Sequence, residues 1–231
     1  MPDNHDKMRE ELLRQKKSGL IQILKAKDVL HFPELENAFM VVPRENFVLP
    51  QFQDKAYEDE ALPIPCNQSI SQPSTIAAML EILDVKKGQC VLEVGSGSGY
   101  VLALLAEVVG KEGKVFGTEM VKELIEFAEQ NLKELNYNNI HLFRQDGSTG
   151  LRDYSPYDRI LISAACPFIP KPLFDQLAER GKVVAPVGDP FMQTLQILEK
   201  VNGKLLKKDI FPFSYQFVPL KGKFGWKMIE K

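Results

Sequence analysis

The segment Leu92-Glu93-Val94-Gly95-Ser96-Gly97-Ser98-Gly99-Tyr100 places a carboxylate just ahead of glycines at alternate positions. Glycine loops between a strand and a helix bring backbone amides close to a ligand, and dinucleotide-binding folds use them with G-x-G-x-x-G spacing. Here the third glycine comes one residue early. Glu93 is more telling. A buried carboxylate beside such a loop repels a pyrophosphate and attracts an ammonium or a sulfonium. Glu119 closes the next apolar run, at the position that bonds ribose hydroxyls in doubly wound sheets. Asp146, within Gln145-Asp146-Gly147-Ser148, closes the following one, within reach of an adenine. Three carboxylates around one glycine turn predict S-adenosylmethionine as the cofactor, with S-adenosyl-L-homocysteine as its product. Gly95, Ser96, Gly97, Gly99, Met120 and Gly147 complete the expected cofactor site with Glu93, Glu119 and Asp146. The competing use of these residues is a tight strand-to-helix turn flanked by solvated acids.

The elements that must carry this site follow from the apolar pattern. Short apolar runs at 90–94, 115–118, 140–143, 159–162 and 183–185 alternate with helical patterns at 74–83, 100–109, 121–135 and 171–178. That rhythm predicts an α/β fold with a doubly wound, mostly parallel sheet covered on both faces. After Gly188 the pattern becomes a hairpin, 193–199 and 205–211, turning at Asn202-Gly203, followed by a strand-like run over 215–220. A seven-stranded sheet with antiparallel C-terminal strands is therefore expected. Ahead of it lie a helix over 6–25, broken at Ser18-Gly19, a second helix from Pro33, and a proline-punctuated irregular stretch to about residue 70. The expected organisation is a single domain over 1–231, in which 1–70 shapes an acceptor cleft and 71–231 forms the cofactor-binding core.

Composition narrows the function. In 231 residues, Lys plus Arg is 29 and Asp plus Glu is 31, for a formal charge of -2. Without a basic surplus no nucleic-acid partner is expected. No run approaches the ~18 uninterrupted apolar residues of a membrane span, and the polar N-terminus lacks a signal-peptide core. Cys66, Cys90 and Cys166 are odd in number and lack metal-ligand spacing, so reduced thiols, no metal and a cytoplasmic location are expected.

Ahead of the glycine loop, Asn67-Gln68-Ser69-Ile70-Ser71-Gln72-Pro73 resembles the signature of the protein-L-isoaspartate O-methyltransferases. Val42-Pro43-Arg44-Glu45-Asn46-Phe47, Ala56-Tyr57-Glu58-Asp59, Pro156-Tyr157-Asp158-Arg159-Ile160, 181–188 and Phe217-Val218-Pro219-Leu220 resemble the same family in family order. The resemblance covers roughly residues 35 to 222. It implies a class I methyltransferase fold and methylation of the α-carboxylate of L-isoaspartyl residues in damaged proteins. The ester then collapses to a succinimide that reopens partly to aspartate. It also implies Ser71 as the active-site serine, with Ser69, Ile70 and Val218 at the substrate. A monomer is expected. Two departures stand out. Asn67 replaces a glycine, so asparagine must carry a positive φ there. Phe168 replaces an acid, which makes its loop more apolar. These motivate the alternative of a dedicated peptide or small-molecule carboxylate as acceptor; a non-catalytic module that keeps the cofactor fold is a separate alternative.

The chemistry suits these residue types. A carboxylate with an ordinary pKa near 3.5 is ionised at neutral pH and needs no general base, so a chain with three histidines can still catalyse its methylation. Ser71 can orient that carboxylate by donating a hydrogen bond, although serine before Gln72-Pro73 is also a common helix N-cap. Arg44 is expected to form a surface ion pair with Glu45 or Glu58, the other option being contact with a substrate carboxylate.

Overall fold

The structure, a computed structural model, describes residues 4–226, and of 4–7 and 208–213 the backbone alone. Helix α1 (Asn4–Ala26) runs unbroken through Ser18-Gly19. Leu20, Ile21 and Leu24 are buried just beyond Gly19, and packing of that face outweighs the roughly 1 kcal/mol that glycine costs a helix. Helix α2 (Pro33–Val41) starts on Pro33 and buries Leu35, Ala38 and Phe39. Two 3₁₀ turns, Arg44–Phe47 and Pro50–Lys55, follow. The stretch expected to be irregular then contains a small antiparallel hairpin, β1 (Leu62–Ile64) and β2 (Gln68–Ile70), with Leu62 opposite Ile70. Its turn holds Cys66 at φ 62 and Asn67 at φ 54, the conformation expected of Asn67.

The core alternates as the apolar pattern predicts: α3 (Pro73–Leu83), β3 (Cys90–Val94), α4 (Tyr100–Val109), β4 (Lys114–Glu119), α5 (Lys122–Lys133), β5 (Ile140–Arg144), β6 (Tyr157–Ile162), α6 (Lys171–Asp175) and β7 (Leu177–Gly188). β8 (Gln193–Val201) and β9 (Lys204–Tyr215) complete a seven-stranded sheet in the order β5-β4-β3-β6-β7-β8-β9. Pairing is parallel from β5 to β7 and antiparallel from β7 through β9. Asn202 and Gly203, at φ 51 and 69, make the tight turn between the last two strands. The run over 215–220 does not add a strand. Past Tyr215 it bonds through Phe217 N to the Gln193 side chain, and Pro219 forms an isolated bridge with Ala165, beyond the end of β6. Pro219 has no N–H to offer a ladder.

Strand alternation divides the core in two. Val91, Val115 and Leu161 point into the cluster built with α1 to α4, whereas Leu92, Val94, Phe116, Ile160 and Ile162 point into the cluster on the opposite face. With a period of two, Glu93, Glu119 and Ser163 emerge on the first face, toward the N-terminal helices.

Candidate active site

At the C-terminal ends of β3, β4 and β6, that parity brings together two carboxylates and a hydroxyl. This is where open parallel sheets bind ligands. The glycine loop between β3 and α4 turns on Gly95, Gly97 and Gly99, at φ 86, 51 and 84. Gly95 N and Ser96 N both donate to the Thr118 carbonyl, at 2.9 and 3.0 Å, which pins the loop to β4. Gly97 N donates to Glu119 Oε2 at 3.2 Å, while Met120 N and Val121 N donate to Glu119 Oε1 at 2.8 and 3.0 Å. The Glu119 carboxylate thus faces the loop in a fixed orientation. A cavity of about 650 Å³ opens over it, lined by Ser69, Gly95, Gly97, Glu119, Met120, Gln145, Gly147, Ser163 and Val218, among others.

Glu93 lies in an adjoining cavity of about 480 Å³ with Ser69, Ile70, Ser71, Ser96 and Ser163. It is only 1% exposed. Ser163 Oγ donates to its Oε1 at 2.7 Å, but its Oε2 is buried with no partner. Burial, with nearby Glu119 adding to it against the opposing Ser163 bond, pushes this carboxyl up to about 8. An orphaned acidic oxygen beside a glycine loop fits a ligand that brings its own positive charge.

A third cavity, about 780 Å³, extends from Ser71 past Ser69, Gln72, Thr75 and Ser163 to Tyr215, Gln216 and Val218. Ser69 and Ser163 line all three cavities, and so mark their junction. Ser71 is not the cap of α3. Gln72 holds that position, and the Ser74 amide donates to Asp59 Oδ1 at 2.7 Å. Asp59 Oδ2 is in turn bonded by Lys27 Nζ. Among the described residues the Ser71 hydroxyl makes no hydrogen bond within the chain, and it lines the cleft. The Val218 carbonyl accepts from Ala165 N at 2.8 Å, which fixes the far wall.

Two of the expected cofactor residues serve the scaffold instead of facing the cavities. Asp146 accepts from Ser148 N and Oγ through Oδ1, and from Lys223 N through Oδ2, so its carboxylate anchors the segment around Gly222. Its neighbours Gln145 and Gly147 line the cavity in its place. Gly99 starts α4, and a Cβ there would lie 3.2 Å from Ala128 and Leu132, so it sets the approach of α5. Arg44 is likewise not at the surface: it is 0% exposed and forms no ion pair among the described residues. Ser163 was missed by the sequence reading, although it follows β6 as Glu93 and Glu119 end β3 and β4. No histidine, and no cluster of three possible metal ligands, lies in these cavities among the described residues.

Comparison with known proteins identifies the family. The profile of the protein-L-isoaspartate(D-aspartate) O-methyltransferase family matches residues 15–225. The chain is 41% identical over 222 residues to the protein-L-isoaspartate O-methyltransferase of Pyrococcus horikoshii, covering 95% of this chain and 99% of the relative. It is 46% identical over 194 residues to protein-L-isoaspartate O-methyltransferase 2 of Archaeoglobus fulgidus, covering 84% and 87%. Among solved structures, it is similar to a protein-L-isoaspartate O-methyltransferase at 29% identity and a TM-score of 0.80, covering 90% of this chain and 67% of that one. It is also similar to the Plasmodium falciparum structure described as a protein-L-isoaspartate O-methyltransferase in complex with S-adenosyl-L-homocysteine, at 28% identity and a TM-score of 0.77, covering 89% and 97%.

Proposed function

The chain belongs to the protein-L-isoaspartate(D-aspartate) O-methyltransferase family, and from that premise we propose which residues carry the reaction. It transfers a methyl group from S-adenosylmethionine to the α-carboxylate of L-isoaspartyl residues in damaged proteins, which starts their repair. When bound, the cofactor supplies an electrophilic methyl carbon on a cationic sulfur. The residues present suit it: the unpartnered Glu93 oxygen meets its positive charge, Glu119 its ribose hydroxyls, and Gly95, Gly97 and Gly147 line the cavity that would hold it.

On the acceptor side, the Ser71 hydroxyl donates to one oxygen of the substrate carboxylate and turns the other toward the glycine loop. The acceptor arrives ionised, so no residue needs to remove a proton. Ile70, Phe217 and Val218 exclude water from the oxygen that reacts. Fixing the reacting groups in line is worth about 7–11 kcal/mol of the barrier. Glu93 also balances charge. It holds a proton until a cation arrives, then ionises against it, so an anionic acceptor is not met by a bare negative site.

The free Ser71 hydroxyl, with the capping duty taken by Asp59, is the observation that carries this reading. Its test is Ser71→Ala: kcat falls about ten- to hundredfold, the ~1.5–3 kcal/mol of one hydrogen bond to a charged group, while affinity for S-adenosyl-L-homocysteine stays unchanged. Undiminished kcat would remove Ser71 from the mechanism.

The chain works as one domain and as a monomer in the cytoplasm, on proteins and peptides and not on nucleic acid. Support for one domain comes from Leu30, Phe39 and Phe47 sharing a buried cluster with α3 and α4. The balanced charge supports the exclusion of nucleic acid, and the unpaired cysteines support the cytoplasm. Among the described residues no helix is long and apolar enough to cross a membrane.

A further inference from the structure

Arg44 is fully buried, yet among the described residues no carboxylate lies within ion-pair distance of it, and Asp59 acts on it only from further off. A guanidinium taken out of water without a direct ion pair is costly, so its placement must be fixed by directed contacts. Three such contacts hold it. Nε donates to the Ala56 carbonyl at 2.9 Å, Nη2 donates to the Ser71 carbonyl at 2.8 Å, and the group lies 5.0 Å from the centre of the Tyr100 ring. Nη1 is buried with no partner. The guanidinium is planar and its donors point in fixed directions, so two carbonyls far apart in the sequence are tied into one plane.

The Ser71 end of that tie is otherwise lightly held. Residue 71 sits between the last residue of β2 and the start of α3, and its side chain makes no hydrogen bond within the chain among the described residues. Its neighbours are held, Ile70 opposite Leu62 in the hairpin and the Gln72 carbonyl by Thr75 N and Ile76 N, but the carbonyl of residue 71 itself is held by Arg44. Rotation about the 70–72 backbone would swing the hydroxyl across the cleft, and the Arg44 bond opposes that rotation directly.

We propose that Arg44 is the positioning residue for Ser71: by holding the Ser71 carbonyl from inside the core, it sets the aim of the Ser71 hydroxyl at the acceptor carboxylate. This rests on the reading that Ser71 orients that carboxylate. A lysine at 44 keeps the charge but cannot span both carbonyls in one plane.

The test is a double-mutant cycle on the full chain, with Arg44→Lys in the wild-type and Ser71→Ala backgrounds. The readouts are kcat and KM for an isoaspartyl peptide, calorimetric affinity for S-adenosyl-L-homocysteine, and melting temperature. In the wild-type background Arg44→Lys lowers kcat at least fivefold and leaves S-adenosyl-L-homocysteine affinity within twofold. In the Ser71→Ala background it changes kcat less than twofold. A kcat within twofold of wild type for Arg44→Lys alone, or an equal loss in both backgrounds, overturns the inference. A fully active Ser71→Ala instead defeats the reading of Ser71 and takes this inference with it. Should Arg44→Lys melt below the assay temperature, Tyr100→Leu replaces it in the same cycle, removing the ring against the guanidinium but neither carbonyl. The same lack of additivity is expected, and its absence is decisive against the inference.

Discussion

Replacing Glu93 with glutamine removes the one charge that the buried cradle can raise against a cation. In the free protein this carboxyl titrates at about 8. At pH 7 only about one molecule in ten carries it ionised, and at pH 9 about nine in ten. Cofactor binding therefore releases about 0.9 proton from Glu93 at pH 7, and wild-type affinity rises several-fold per pH unit up to about pH 8, then falls as the free cofactor's own amino group loses its proton. The cofactor's own α-amino group, with an ordinary pKa near 7.7–8.0, takes up only about 0.1 proton at pH 7. Calorimetry in buffers of different ionisation enthalpy counts both. In Glu93→Gln the release disappears, and affinity at pH 9 falls about ten- to hundredfold, from the ~1.5–3 kcal/mol of a charge-assisted contact. Stability gives an independent reading without ligand. The carboxyl ionises near 4.5 when unfolded and near 8 when folded, so its contribution is whole below about pH 4.5, drains away up to about pH 8, and is flat above. Glu93→Gln loses nothing over that window, and its advantage grows across it toward at most ~5 kcal/mol. Equal proton release by the two proteins at pH 7, or equal affinity at pH 9, refutes the cradle.

Gly147→Ala brings a Cβ within 2.2 Å of Thr118 Oγ1 and 2.7 Å of Val94 Cγ1. It is expected to cost about 1–3 kcal/mol and to weaken S-adenosyl-L-homocysteine binding; an unchanged melting curve contradicts the packing. Val218→Pro removes a backbone N–H from the rim of the acceptor cavity, leaving the carbonyl that Ala165 holds. KM for an isoaspartyl peptide should rise several-fold at constant cofactor affinity, and an unchanged KM would show that the substrate does not align along this edge.

The sheet was legible because its central strands are apolar on both faces, as Val91, Leu92 and Val94 are when buried on alternate sides. The Asn202-Gly203 turn and the positive φ of Asn67 were legible for the same kind of reason: few other residues tolerate those conformations. The unbroken α1 was not, since Gly19 signals a break locally and only the burial of Leu20 and Leu24 overrides it. Nor was the β1–β2 hairpin, whose three-residue strands are too short to establish a period. Within the site, residue type and position at the strand ends located Glu93 and Glu119. What Asp146 bonds, which residue caps α3, and where Arg44 lies depend on contacts between segments far apart in the chain. Such contacts leave no local signal. Ser163 is a different case, because the rule that parallel strands present ligands at their C-terminal ends applies to it as well.

The most direct test of the account uses two peptides identical except that one carries an L-isoaspartyl and the other a normal aspartyl residue. Each is incubated with the protein and methyl-labelled S-adenosylmethionine, and base-labile methyl ester is counted. The account predicts ester on the isoaspartyl peptide and almost none on its twin. Equal labelling of both, or none on either, would contradict it.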